Sequence, residues 1–213
     1  MKRTLAMLCT LTLTLLSTST HASFYAPSAS SRGYHKGIEN FKYEVYKMLE
    51  FAAKQKPPTA SDLQSYDQRD AFFTDFINSM ITKAEKTLPV FAYLQRNDSK
   101  ISQLAEEYFS AFTTLTNTSL LDCAFQQPKT YAQQKETAEN TLNSTISEIV
   151  KKTNIAEQPE HQLLFNRSSF IEQEQANTLF LISDTINQLC QKLYPQSWYK
   201  RTWDYISAYL NRN

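Results

Sequence analysis

The side chains best suited to nucleophilic or metal chemistry are scarce in this chain, which has three cysteines and three histidines. Cys9 lies in an apolar N-terminal stretch, so Cys123 and Cys190 are the pair available to a folded domain. An even pair in an exported chain favours a disulfide, which over this span would constrain the unfolded chain by roughly 4 kcal/mol. Two alternatives stay open: a pair of buried free thiols, and a nucleophilic thiol acting with His161, which would need a low-pKa setting that the sequence does not show.

The histidines form no recognisable catalytic or metal site. His35 and His161 are both predicted to lie in loops, and no G-x-S-x-G elbow accompanies either of them. Glu157, Glu160 and His161 are close in sequence, but they flank Pro159 and lack the H-E-x-x-H spacing of zinc sites. Paired E-x-x-H motifs for a di-iron site and a C-x-x-C-H haem motif are also missing. The sequence therefore predicts no metal, no cofactor and no catalytic residue of these kinds.

Carboxylates offer the remaining route to catalysis, because a glycoside hydrolase needs only two acids across a cleft. Acids at close spacing usually line a solvated helix face. A carboxylate-dependent hydrolase acting on an envelope or host polymer is the alternative function, and its mark would be a cleft with two acids, one of them with a raised pKa. The candidate pairs are Glu106 with Glu107, Glu136 with Glu139, and Glu172 with Glu174.

The most unusual stretch runs from Ser197 to Arg212 and contains both tryptophans of the chain. Three basic residues against one acidic residue, Asp204, leave it positively charged. Aromatic residues beside arginine favour protein interfaces and the membrane–water boundary, although the same stripes would also fit a helix that closes a bundle. The candidate binding residues are Trp198, Tyr199, Lys200, Arg201, Trp203, Tyr205 and Tyr209.

The elements that would carry these residues are predicted to be helices. The chain has two glycines, Gly33 and Gly37, and none from Ile38 to Asn213. Tight hairpins, bulges and phosphate-binding loops rely on glycine because it reaches positive φ without a steric penalty. Prolines divide the chain into segments whose apolar residues recur at steps of three and four. These stripes cover residues 38–52, 73–84, 101–115, 138–149, 171–193 and 199–210.

These patterns predict the domain organisation. Residues 35–213 are expected to form a single all-α domain, a bundle of five to seven helices. Capping-box spacing indicates helix starts, as at Ser169 with Glu172. Residues 23–34 contain Ser, Ala, Pro and Gly without periodicity and are predicted to form a mobile tail.

Residues 1–22 have the organisation of a cleavable signal peptide. Lys2 and Arg3 give a positive start, an apolar stretch from Leu5 to Leu16 follows, and small residues precede an expected cut after Ala22. The apolar stretch is too short to span a bilayer, which takes about 20 apolar residues. A short basic start and a brief apolar stretch are typical of bacteria, so we expect a bacterial protein that is secreted or periplasmic.

Cleavage of the signal peptide changes the charge balance of the chain and limits the classes of function that fit it. Loss of Lys2 and Arg3, with no acid in the same segment, lowers the formal net charge from +1 to −1. A near-neutral mature chain has no overall electrostatic reason to bind nucleic acid, and it has no second apolar run that would span a membrane. The sequence favours an exported binding protein with a protein partner over an enzyme. The hydrolase and a protein that binds the membrane surface through its C-terminal helix are the alternatives.

Overall fold

The computed structural model describes residues 33–96, 101–125, 128–158 and 166–195, and this part of the chain contains helices and connections but no strand. The predicted all-α bundle is therefore confirmed for these residues. Single turns of 3-10 helix lie in two connections, at Ser61–Leu63 and Ile155–Glu157. The six α-helices of the described residues are α1 (Tyr34–Gln55), α2 (Tyr66–Thr87), α3 (Pro89–Arg96), α4 (Ser102–Phe125), α5 (Pro128–Lys152) and α6 (Arg167–Leu193).

Five of these helices coincide with predicted stripes, and α3 does not. The predicted break at Pro89 is confirmed, since α2 ends at Thr87, but the short helix that begins at Pro89 was not predicted. Proline suits the first position of a helix because the first N–H groups of a helix have no partner within the helix. Pro128 begins α5 in the same way. The sixth predicted stripe, residues 199–210, lies outside the described residues.

The N-cap of α6 lies one turn before the predicted capping box. The side chain of Asn166 caps α6 by accepting the N–H of Ser169 at 2.9 Å, so Ser169 is the third residue of the helix. Ser65 caps α2 by accepting the N–H of Gln68 at 3.3 Å. The capping box expected at Ser169 with Glu172 was wrong, because the Ser-x-x-Glu pattern occurs inside the first turns of α6.

Helix α1 begins one residue before the predicted start of the domain. Tyr34, which the sequence placed at the end of a mobile tail, is helical and 3% exposed. Its hydroxyl donates to Oε1 of Glu85 in α2 at 2.6 Å, which fixes the start of α1 on the bundle. Residues 1–32, with the expected signal peptide and the rest of the tail, lie outside the described residues. Within the part that is described, no helix combines the length and apolar character needed to cross a membrane.

Helix α4 packs against α1, α5 and α6 and forms the centre of the bundle. α1 and α4 run in the same direction, because Tyr34 contacts Phe109 near the start of α1 while Phe51 contacts Phe125 near its end. Gly37 permits the close approach of the two helices. A Cβ at Gly37 would lie 2.3 Å from Cδ2 of Phe109, so a larger residue at this position would collide with the ring.

An aromatic cluster fills the core where α1 and α4 begin. Phe91 of α3 contacts Tyr34 of α1 at a ring-centroid distance of 5.8 Å. It also contacts three rings of α4 at 5.2 to 6.2 Å, all edge to face: Tyr108, Phe109 and Phe112. Such pairs add to the stabilisation that burial of the rings provides. The short helix α3 is thereby packed onto this end of the bundle.

Cys123, near the end of α4, and Cys190, near the end of α6, form a disulfide with their Cα atoms 6.3 Å apart. The predicted bridge is thus confirmed, and the two alternatives with free or nucleophilic thiols are wrong. The bond closes a span of 67 residues and ties the C-terminal ends of two neighbouring helices together. Disulfides persist in oxidising compartments, so this one is compatible with export.

The end of α6 is held against the connection between α1 and α2. The N–H of Thr59 donates to the carbonyl oxygen of Leu193 at 2.9 Å. The hydroxyl of Tyr194 donates to the carbonyl oxygen of Lys56 at 2.8 Å, and the Lys56 ammonium lies 4.7 Å from the centre of the Tyr194 ring. The described chain therefore ends, at Pro195, beside the α1–α2 connection.

Candidate functional site

The residues that the sequence singled out for binding lie outside the described part of the chain, so their arrangement stays a prediction. They are Trp198, Tyr199, Lys200, Arg201, Trp203, Tyr205 and Tyr209. The structure does describe the point from which they follow, Tyr194 with Pro195, packed on the connection after α1.

A groove of about 250 Å³ lies between the second half of α1 and the start of α2. The helices converge there because Phe73 is buried and contacts the ring of Tyr46 edge to face at 6.3 Å. Tyr66 lines the same groove and is 61% exposed. We call this the tyrosine groove; its lining includes Tyr46, Lys54, Pro57, Tyr66, Arg69 and Phe73.

Both carboxylates of the tyrosine groove are engaged by neighbouring side chains. The hydroxyl of Tyr46 donates to Oδ1 of Asp70. That hydrogen bond, with a smaller effect of burial, raises the pKa of Tyr46 above its ordinary value, so the hydroxyl stays neutral and remains a donor. The hydroxyl of Tyr66 donates to Oε1 of Glu50 at 3.5 Å, and the ammonium of Lys54 lies 3.8 Å from the same carboxylate.

Arg69 also lines the tyrosine groove, and no acidic side chain among the described residues forms an ion pair with it. Its side chain is half-buried. A guanidinium group presents five N–H donors in a rigid, planar fork that matches a carboxylate and also stacks on aromatic rings. The groove therefore offers an anion-binding group beside exposed tyrosine.

A second groove, of about 430 Å³, lies between α4 and α5 and is lined by polar side chains; we call it the polar groove. It holds one glutamate from each helix. Glu107 accepts a hydrogen bond from Gln103 at 3.0 Å, and Glu148 pairs with Lys152 at 3.1 Å. The other lining residues are Asn140, Thr141, Ser144 and Thr145. The polar groove is the surface that comes nearest to the two-acid cleft of the hydrolase hypothesis.

The structure separates the acids that the sequence had paired. Glu106 forms an ion pair with Lys36 of α1 at 2.9 Å, while its neighbour Glu107 lines the polar groove. Glu136 and Glu139 line neither groove. The acid that faces Glu107 across the polar groove comes from α5, and no sequence spacing could have indicated it because the two residues meet only through packing.

Glu174 is the one acidic or basic side chain that the described core buries, at 2% exposed. The sequence had placed it with Glu172 on a solvated helix face, which was wrong, because the face of α6 that carries Glu174 and Thr178 packs into the bundle. Oε1 of Glu174 accepts the N–H of Val90, in the first turn of α3, at 2.9 Å. Burial raises the pKa of Glu174 to about 7, and the hydrogen bond from Val90 only partly opposes that effect.

The Glu174 carboxyl belongs to a polar cluster inside the core. Tyr108 is fully buried, and its pKa is raised well above the ordinary value by burial and by the nearby Glu174 charge. The hydroxyl of Thr178 donates to the carbonyl oxygen of Glu174 at 2.8 Å. Glu174 lines neither groove. The raised pKa and the two-acid groove, which a hydrolase would need in one place, therefore lie in different places.

The described residues contain no group of three or more His, Cys, Asp and Glu side chains that could hold a metal ion. His35 is exposed on the first turn of α1, where it contacts the Tyr34 ring, and does not lie in the loop expected from the sequence. His161 lies outside the described residues.

Comparison with known proteins finds no relative from which a function could be transferred. No protein-family model matches the chain, and the searches of characterised proteins and of solved structures give no match either.

Proposed function

We propose that this protein is an exported bacterial helical bundle that acts by binding a partner protein and has no catalytic step of its own. The observation that carries the proposal is the tyrosine groove, which is lined by two tyrosines and by a half-buried arginine that has no acidic partner among the described residues. The disulfide and the expected signal peptide support export.

The residue types of the tyrosine groove fit a protein interface. Tyrosine, tryptophan and arginine are enriched among the residues that dominate binding energy, since they combine a large apolar surface with a hydrogen-bonding end. At about 250 Å³ the groove is smaller than the roughly 300–1,000 Å³ of small-molecule sites. It is of a size to receive one or two side chains of a partner.

The charges of the groove indicate what the partner presents. Glu50 and Asp70 are occupied by hydroxyl groups and by Lys54, so they do not call for a cation. Arg69 is left to pair with an acid. We therefore expect an aspartate or glutamate of the partner to bind Arg69, with apolar atoms beside it packing on the ring of Tyr66.

The C-terminal stretch extends the same surface in this proposal. Tyr194 is bonded to Lys56, and the next residue, Pro57, lines the tyrosine groove. The chain thus leaves the described bundle beside the groove, and the predicted binding residues Trp198 and Arg201 follow within a few positions. Their aromatic and basic character matches that of the groove.

Site-specific crosslinking tests this surface. A photoreactive phenylalanine analogue at position Tyr66, in the protein expressed by its native producer, should yield one discrete crosslinked partner. The control places the analogue at Phe180, an aromatic residue of α6 that is 70% exposed and lines neither groove. Adding Arg69→Ala to the Tyr66 probe should lower the crosslink yield by about tenfold or more, as loss of a central interface arginine does.

Two further results test the C-terminal stretch and the tyrosine groove separately. Alanine at Trp198, Arg201 and Tyr205 should also weaken capture while helicity and melting stay unchanged, and undiminished capture would remove the C-terminal stretch from the surface. The same set of products from the Tyr66 and Phe180 probes, or none from either, would contradict a binding site at the groove.

A further inference from the structure

Helix α3 is a short element whose first turn rests on a buried acid. It has eight residues, Pro89–Arg96, and packs on the end of the bundle through Phe91. The N–H of Val90 donates to Glu174 from inside the core at 2.9 Å. While α3 packs on the bundle, it shields the Glu174 carboxyl from water on this side, because Val90 is itself fully buried.

We propose that Glu174 is a proton-controlled latch on α3. The neutral carboxyl group keeps α3 seated on the bundle, whereas the ionised carboxylate favours an open state in which α3 moves away and water reaches the charge.

No lysine or arginine among the described residues forms an ion pair with Glu174 that would stabilise its ionised form in the closed state. Its pKa is governed by burial and by the single hydrogen bond from Val90. Glu148 is paired with Lys152, and Glu157 with Arg167. Tyr108 on α4 is close enough for the Glu174 charge to raise its pKa. The other titratable and charged side chains on the surrounding elements include Tyr34 on α1, Glu85 on α2, Tyr93 and Arg96 on α3, Glu148 on α5, and Glu157 in the turn before α6.

The pH dependence of α3 opening follows from the proton affinity of Glu174 in the closed and open states. In the closed state the carboxyl holds its proton up to a pKa of about 7, while in an open, hydrated state it would return toward its ordinary value near 4.5. Opening therefore releases a proton, and a rise in pH through this window favours the open state. The opening constant of α3 should increase by about 70-fold between about pH 5 and about pH 8.

Amide hydrogen exchange of the full-length protein measures this opening. After correction for the intrinsic exchange rate, the amides of α3 should show the increase in the wild-type protein. In Glu174→Gln they should show almost none, since the glutamine oxygen still accepts from Val90 but carries no charge at any pH. Glu172→Gln, which changes an exposed glutamate two residues away on the same helix, is the matched control and should behave as the wild type does.

The amides of α4 and α5 decide whether the opening is local. At every pH their opening constants should lie well below those of α3, because these amides exchange only through global unfolding. Equal opening constants in α3, α4 and α5 would show that α3 also exchanges through global unfolding and would overturn the latch. Equal pH dependence of α3 opening in the wild type and in Glu174→Gln would overturn it as well.

Discussion

Replacing Cys123 and Cys190 together with alanine should lower the free energy of unfolding by about 4 kcal/mol, measured by urea denaturation. The disulfide joins α4 to α6 across 67 residues, and without it the unfolded chain gains the freedom of that open loop. The helices themselves should remain, because the rest of the core does not depend on the bond. Far-ultraviolet circular dichroism of the double variant should therefore match that of the wild type.

Reduction of the wild-type protein provides the control for this loss. A reductant should bring the wild type down to the stability of the double alanine variant and leave the variant itself unchanged. A variant within about 1 kcal/mol of the oxidised wild type would contradict the role given to the bridge. It would mean that the unfolded chain keeps the ends of α4 and α6 together even without the bond.

The second large effect is a fall in global stability as pH rises, caused by Glu174. The unfolded chain releases this proton near pH 4.5, whereas the folded protein keeps it up to a pKa of about 7. Between these two pKa values the folded state holds one proton more than the unfolded state. The stabilisation that protonated Glu174 provides is therefore complete below pH 4.5 and is lost as pH rises past about 7. The loss amounts to about 3 kcal/mol in the free energy of unfolding.

Glu174→Gln should remove that pH dependence and be more stable than the wild type at about pH 8, while the two proteins differ little at about pH 4. Denaturation by urea across this range is the measurement, with Glu172→Gln as the control that keeps the wild-type profile. Asp184 does not obscure the result. Its hydrogen bond with Lys83 lowers its pKa, so its contribution is lost only as pH falls below the ordinary range of aspartate. Parallel profiles for Glu174→Gln and the wild type would contradict the burial of this carboxyl.

The helices that the sequence predicted well are the long ones with a repeated apolar stripe. Over about 20 residues a period of three and four is distinct from chance, and α1, α2, α4, α5 and α6 all have that length. α3 was missed because its eight residues, Pro89–Arg96, form only about two helical turns. Tyr34 was misplaced because its burial against Phe91 and Glu85 comes from other helices and leaves no local signal.

The candidate sites were harder to predict than the fold, for a physical reason. The tyrosine groove needs Tyr46 and Tyr66 on two helices to converge, and the polar groove needs Glu107 and Glu148 to do so, which sequence spacing does not encode. Glu174 was taken for a surface acid because acids usually are. The disulfide was predicted because the cellular compartment and the number of cysteines largely determine whether two cysteines are bridged, and both can be read from the sequence.

The proposed binding function depends on export of the protein, and intact mass spectrometry under non-reducing conditions measures whether export has occurred. The protein should be isolated from the supernatant and from the periplasmic fraction of its native producer. We expect a chain that begins at Ser23 and is lighter than its reduced form by the two thiol hydrogens of Cys123 and Cys190. A chain that still begins at Met1, with both thiols reduced, would contradict export and leave the binding proposal without its compartment.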